Sequence, residues 1–338
     1  MAKRSDVAQR AGVSESTVSY VITGTRPIGQ ETKARVLKAM AELGYKPNAM
    51  AQALRSGNSK MLAMLFGDQE RGISDGDIEY VIAAADEARK YGYHLILWPV
   101  RRRAIEDVIK KAESGLLDGV ILMEVSLKDE RVALLKKHKV PFGLIGRTQN
   151  KLDTVFADRD FETATRLAIE ELVVLGHTKL VALSTSNETV AGQIGATIRF
   201  EDAVEDVAKE LKVQIDILHA ENTIQSGLDS AKDFVKKYKN RTAVVSVNAE
   251  ALIGFSRGLQ RAGFSIPDDV SLICISTTPA GSLAFDPPLT IVSPPASEIG
   301  AAAARELIHA LQGKPDDEPT KLFVGELLRR ESTSRYKK

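Results

Sequence analysis

The chain has 338 residues, one cysteine and a formal net charge of +1; that length can hold more than one domain with a true core, and a single thiol excludes an internal disulfide and a cysteine metal cluster. The near-neutral total hides an asymmetry: residues 1–60 carry ten Lys or Arg against four Asp or Glu, a net +6, whereas residues 61–338 carry thirty-six against forty-one, a net −5. A basic head on a faintly acidic body suits phosphates at one end only, and the opening MAKRSDVAQ, with no apolar secretory run there and no charge-free span of membrane length later, predicts a cytoplasmic protein without a membrane partner.

Asp6 to Tyr20, DVAQRAGVSESTVSY, reads as two short helices crossing at a tight corner. Val7, Ala8 and Ala11 give the first helix small apolar contacts, Gly12 permits the turn, and Ser14 caps the second helix. Thr17, Val18 and Val21 face back, while Glu15, Ser16, Ser19 and Tyr20 lie wholly or partly outward. This is the pattern of a helix-turn-helix whose second helix, Ser14 to Val21, enters the major groove. Glu15 can accept from a cytosine amino group, Ser16 can bond a base edge, and Tyr20 can offer a hydroxyl or pack on a thymine methyl. Thr17 and Ser19 are candidates for phosphate or backbone, and Lys3, Arg4, Arg26, Lys33 and Arg35 for phosphate contacts, although any one basic residue is as readily plain surface. After TGTRPIG, Gln30 to Leu43 is helical, with Thr32, Val36, Ala39, Met40 and Leu43 closing a three-helix core and Gly44 ending it.

KPNAMAQALRSGNSK follows, with Asn48 as a helix cap and Gly57 as a stop. A helix of about eight residues is not stable alone in water; packing on a twin copy or on DNA can hold it. Ala49 and Ala53 allow close approach, Arg55 lies in the same piece, and Leu54 suits a wedge at a minor-groove base step. The alternative is a helical linker with a buried leucine.

From Lys60 short apolar runs alternate with amphipathic segments: MLAMLF, HLILWPV, GVILM and PFGLIG are predicted strands separated by helices over 78–91, 104–113 and 129–138. A second series follows, with helices over 161–175, 198–210, 226–237 and 250–262 among the strands LVALS, VQIDIL, TAVVSV and VSLICI. Such unbroken apolar strands suit parallel sheets covered on both faces, so an α/β body of two doubly wound lobes is expected. LTIVSPPASEIGAAAARELIHAL is expected to return to the first lobe and LFVGELLRREST to end on the second. The crevice then faces strand C-termini, where Asp68, Gln69, Trp98, Glu124, Arg147, Asp158, Asn187, Asn248 and Ser276 fall. Trp98 is the candidate stacking platform, with core burial as its alternative.

In order and spacing, DVAQRAGVSESTVSYVI, ETKARVLKAMAELGYKPNAMAQALRSG, IPDDVSL and RREST resemble a LacI/GalR-family transcriptional regulator over nearly the whole chain. The resemblance implies a helix-turn-helix headpiece at 1–46, a hinge at 47–59 in which Leu54 takes the minor-groove role, and a periplasmic-binding-protein-like body at 60–338. Its first lobe is expected at about 60–159 and 287–319, its second at about 160–286 and 320–336. Glu15 and Ser16 fall on the two principal base-contact positions, and Tyr20 where many members carry Arg. It also implies a double-stranded operator, a homodimer and a small-molecule effector, a sugar among the candidates. Three pocket positions depart from the pattern: Ala249 replaces the Asp of an Asn-Asp pair, Ser276 stands where a sugar-clamping carboxylate is common, and Ala196 stands at an effector-binding Arg, with Arg199 three residues on.

Enzymatic readings find no support in the sequence. His94, His138, His177, His219 and His309 are dispersed, Cys274 sits in a strand core, and neither a GxGxxG nor a phosphate-binding GxxxxGK run occurs, so no cofactor or metal is implied. His177 is expected to serve as a helix C-terminal cap. The expected function is repression from a palindromic operator by a dimer, with activation or dual regulation, or an intracellular solute-binding role, as alternatives.

Overall fold

The computed structural model describes residues 2–24, 26–46, 58–66, 75–98, 105–150, 155–314 and 320–337, which fall into two compact units, Met1–Ser59 and Lys60–Lys338. The first holds helices α1 (Arg4–Ala11), α2 (Glu15–Thr23) and α3 (Gln30–Glu42). Gly12 stops α1 at φ 65°, a left-handed conformation that side-chain-bearing residues pay about 1–2 kcal/mol to adopt. Two residues later the Ser14 hydroxyl accepts the Thr17 N–H and starts α2. Val7, Ala8, Ala11, Val18, Val36 and Ala39 form the buried centre, with Val13, Val21, Met40 and Tyr45 against it. Leu43, expected inside, is instead 36% exposed. It is the C-cap of α3, where the chain turns, and Tyr45 packs on the cluster after Gly44 takes φ 59°.

The second unit carries two six-stranded sheets. The first is ordered β11-β5-β4-β3-β1-β2, from β1 (Met61–Leu65), β2 (His94–Trp98), β3 (Gly119–Leu122), β4 (Phe142–Ile145), β5 (Phe156–Arg159) and β11 (Thr320–Phe323), all paired in parallel. One face is covered by α4 (Asp75–Lys90) and α13 (Ala296–Leu311), whose Ile299, Ala303 and Leu307 meet Leu62, Met64 and Ile121. The other is covered by α5 (Ile105–Glu113) and α6 (Glu130–Lys137), through Val108, Ile109, Val132 and Leu135.

The second sheet is ordered β12-β10-β9-β8-β6-β7, from β6 (Lys179–Ser184), β7 (Gln214–His219), β8 (Ala243–Ser246), β9 (Ser271–Cys274), β10 (Thr290–Ser293) and β12 (Glu326–Leu328). Here the edge strand β12 runs antiparallel to β10, a departure from the purely parallel expectation. Helices α7 (Phe161–Val174) and α9 (Gly195–Leu211) cover one face, and α10 (Ile224–Lys237) and α11 (Ala249–Arg261) the other. Two short helices, α8 (Asn187–Ala191) and α12 (Pro279–Ser282), and the strand β5 have no counterpart in the sequence reading.

The lobe boundaries need correction. β10 pairs with β9 in the second lobe and β11 with β5 in the first, so 287–293 does not belong to the first lobe nor 320–323 to the second. The chain crosses after β5, after β10 and between β11 and β12. Pro294 and Pro295 end β10, since proline brings no N–H to continue a ladder, and the small apolar face of α13 is then buried on the first sheet. RREST closes the second sheet: Ser332 Oγ donates to the Leu272 carbonyl at 2.6 Å and accepts the Thr290 N–H at 2.8 Å. His177 lies between Thr242 Oγ1 (2.8 Å) and the Ser334 carbonyl (3.0 Å). Its ring therefore clamps this tail to the sheet, while its backbone N–H donates to the Leu172 carbonyl at 3.0 Å and closes the end of α7 after the Leu175 C-cap, as expected. Cys274 is fully buried in β9. Among the described residues no helix is long and apolar enough to cross a membrane.

Candidate nucleic-acid interface and effector cleft

In the three-helix unit the outward face of α2 carries Glu15 and Ser16 exposed and Ser19 and Tyr20 half-buried. The N-cap fixes its beginning: Ser14 Oγ lies 2.7 Å from Ser16 Oγ and 2.9 Å from Thr17 Oγ1, so both hydroxyls sit at the helix N-terminus, where backbone N–H groups favour a phosphate. Arg4 pairs with Glu15 (Nη2 to Oε2, 2.8 Å), and the Arg26 guanidinium lies 4.9 Å over the Tyr20 ring. Two predicted phosphate contacts thus flank two predicted base readers. Lys3, Lys33 and Arg35 are exposed. The hinge candidates Asn48, Ala49, Ala53, Leu54 and Arg55 lie outside the described residues.

In the second unit a cavity of about 520 Å³ opens between the lobes, within the range of about 300–1,000 Å³ typical of small-molecule sites. Its first-lobe wall is built at strand ends by Met123, Glu124 and Val125 after β3, Ile145 at the end of β4 and Gly146 after it, and Asp158 and Arg159 in β5, with Asp77 and Tyr80 from α4. The second lobe supplies Thr185, Thr197, Asn222, Glu250, Ser276 and Phe285 among others. The lobes also touch directly: the Leu127 N–H donates to the Gln193 carbonyl (2.8 Å) and the Gly195 N–H to that of Val125 (2.9 Å).

Of the predicted pocket residues, Glu124, Asp158 and Ser276 line the cavity. Glu124 takes a left-handed φ of 51°, and its carbonyl and that of Met123 accept from Arg131 Nη2 at 3.1 Å each. Asp158 accepts from Arg147 (2.7 Å) and from the Arg159 N–H (2.8 Å). Burial nevertheless pushes its carboxyl up to about 6, against the pull of Arg147 and Arg199. Ser276 donates its proton to the Val247 carbonyl at 2.6 Å, leaving lone pairs to offer.

The other candidates stand elsewhere. Arg147 and Arg199 work across the lobes: Arg147 grips Asp158 and both oxygens of Glu162, and Arg199 donates to the Arg147 carbonyl (3.0 Å). Arg199 therefore does not reach the cavity to replace the missing guanidinium of Ala196. Asn248 caps α11 and ties it to the Ala220 carbonyl (3.0 Å), a structural duty. Trp98 ends the edge strand β2 and packs with the α5 and α6 cluster, not on the cavity. Asn187 is exposed on α8, and Asp68 and Gln69 lie outside the described residues.

Sequence reasoning missed Arg159, Tyr80 and Asn222. Burial pushes the Tyr80 hydroxyl up to about 12 and draws the Arg159 guanidinium down to about 10. Arg159 directly follows a strand-end Asp, and that adjacency was the available signal. The three departures from the family pattern, Ala196, Ala249 and Ser276, all lie on the cavity wall.

Two family models match: bacterial regulatory proteins of the lacI family over residues 5–48, and a periplasmic binding protein-like domain over 169–333. The transcriptional regulator RegA of Clostridium saccharobutylicum is 29% identical over 336 residues, 97% of this chain and 98% of that one. The transcriptional repressor PurR of Vibrio vulnificus is 28% identical over 328 residues, 94% of each. Among solved structures, the Lac repressor dimer bound to operator and the anti-inducer ONPF superposes with a TM-score of 0.84 at 22% identity, covering 98% of this chain and 99% of that one. A complex of the transcriptional regulator CelR with cellobiose gives 0.73 at 20% identity, covering 98% and 100%. A helix-turn-helix unit, a two-lobed body with an interlobe cavity and full-length likeness to regulators agree: the chain belongs to the LacI/GalR family of sequence-specific DNA-binding transcriptional regulators.

Proposed function

We propose that this protein is a repressor that holds a palindromic operator as a homodimer and answers to a small metabolite, a carbohydrate among the candidates, bound in the interlobe cavity. The carrying observation is one chain with both a capped helix presenting Glu15, Ser16 and Tyr20 and a cavity of metabolite size. A twofold dimer reads two half-sites with its own symmetry. Exposed Ile78 and Ile82 on α4 offer it an apolar face on the first lobe. The Lac repressor likeness, a dimer on operator, and the PurR likeness, a repressor, support the same reading. In this proposal residues 1–46 read the duplex, 47–59 serve as the hinge, and relative lobe rotation sets the spacing of the two hinges.

Genome-wide mapping of bound sites, combined with expression of neighbouring genes in a deletion strain, tests it. A sharp palindromic motif with raised transcription after deletion is expected. Lower transcription at those sites would replace repression with activation, and uniformly weak, salt-sensitive binding would favour a solute-binding role.

A further inference from the structure

Among the described residues of the body, five arginines are buried. Arg131 pairs with Asp129, Arg147 with Asp158 and Glu162, Arg241 with Asp216, and Arg199 lies 4.0 Å from Glu162. Arg159, 2% exposed, is the exception: among the described residues it has no carboxylate partner. Its guanidinium donates once, from Nη2 to the Val292 carbonyl at 2.7 Å, and its Nε–H is buried without an acceptor. It is also the arginine that lines the interlobe cavity, with its guanidinium 5.6 Å over the ring of Phe161, another wall residue. Asp158 and Asp160 act on it only through space; a buried cation with no carboxylate in ion-pair contact is costly, and the cost is relieved when an anion arrives with matched geometry.

Two further features narrow the anion. Asn222, on the second-lobe wall, buries an Oδ1 that no donor reaches. Asp77, Glu124 and Glu250 also line the cavity, and their field opposes a doubly charged group.

We infer that Arg159 is the anion-binding group of the cleft and that the metabolite it takes is a small hydroxylated monocarboxylate, its carboxylate on Arg159 and a hydrogen-bond donor facing Asn222. The inference rests on the reading of the cavity as the effector site. Even with its pKa drawn down to about 10 by burial, Arg159 is charged at neutral pH. The guanidinium fork matches a carboxylate in plane and spacing. Ala196 and Ala249 leave that part of the wall without the polar grip a neutral sugar needs.

Thermal unfolding and calorimetric titration of the full-length protein test this with matched pairs: gluconate against glucitol, galactonate against galactitol, glucuronate against glucose, with glucose 6-phosphate added. At least one acid is expected to raise Tm by several degrees while its neutral partner does not. Arg159→Met is expected to weaken that acid about 100-fold, the scale of an unpaired buried charge contact, and to leave the unliganded Tm equal or higher because the uncompensated charge is gone. Arg159→Lys, which keeps the charge and loses the fork, is expected to weaken it about tenfold and serves should the Met variant fail to fold. A lower unliganded Tm with undiminished acid affinity makes Arg159 a structural pin and overturns the inference. So does a shift by a neutral sugar or the phosphate in wild type and Arg159→Met alike, or no shift by any acid. Ala196→Phe separates the underlying reading: acid binding that survives this filled cavity places the ligand elsewhere, whatever Arg159 does.

Discussion

Glu15 and Arg4 hold each other where each was expected to touch DNA. Both side chains are partly exposed, 48% and 35%, and such a surface pair is worth about 0–1 kcal/mol, so phosphate and cytosine can displace it at little expense. Asp158 is the opposite case. It is 4% exposed, and its carboxyl is pushed up to about 6 from 3.8, by burial first, despite Arg147. A carboxyl raised on folding makes the folded state take up a proton between those values. Its contribution to stability is complete below 3.8 and is lost as pH rises through about 6. Asp158→Asn removes that dependence. Urea unfolding from pH 4 to 7 should therefore show the variant gaining on the wild type as pH rises through this window, whatever the offset from the altered Arg147 contact. Parallel profiles would exclude the raised value. The carboxylate was legible as a strand-end residue, but its partner Arg147 was read as a second ligand contact. Periodicity places residues at strand ends without telling which of two neighbours spends its charge on the other.

Strands made of continuous apolar residues were legible to within a residue or two, because both faces of each sheet are covered and nearly every side chain is buried. β5 was not, since FADR buries two charged residues, Asp158 held by Arg147 and Arg159 held through one nitrogen by the Val292 carbonyl, the latter a contact remote in sequence. Helix contacts were equally hidden. Gly227 on α10 and Gly254 on α11 bring those helices so close that a Cβ on Gly227 runs into the Ala251 carbonyl and one on Gly254 into that of Ile224. Alanine in an exposed helix stabilises by roughly 0.5–1 kcal/mol over glycine, yet here it forces a backbone apart. Gly227→Ala is expected to destabilise the body by about 1–3 kcal/mol, the scale of overpacking, read as a lower urea midpoint with unchanged slope. A variant as stable as wild type would mean the two helices separate freely.

At the scale of the whole molecule the sequence foretold two lobes and repeated crossovers, but misplaced two crossing points, because the choice of lobe for β10 and β11 is set by pairing with β9 and β5 and leaves no trace in local composition. The step from one chain to a working regulator is then a question of stoichiometry, which salt can answer. Each phosphate contact neutralised contributes about 0.9 to the slope of log affinity against log salt. Lys33, exposed on α3, contributes one contact per head in the proposed complex, so Lys33→Gln is expected to lower the slope by about two if two heads bind together and by about one if a single head binds. Leu54, outside the described residues, has a different role in the proposed complex. A minor-groove wedge there carries no charge to exchange, so Leu54→Ala should leave the slope unchanged while reducing operator affinity far more than affinity for random duplex. Fluorescence anisotropy with operator and random DNA between 50 and 200 mM salt, roughly the range over which such contacts are resolved, separates these outcomes. A change of about one for Lys33→Gln, or equal losses on both duplexes for Leu54→Ala, removes the paired-head arrangement on which control by the cleft depends.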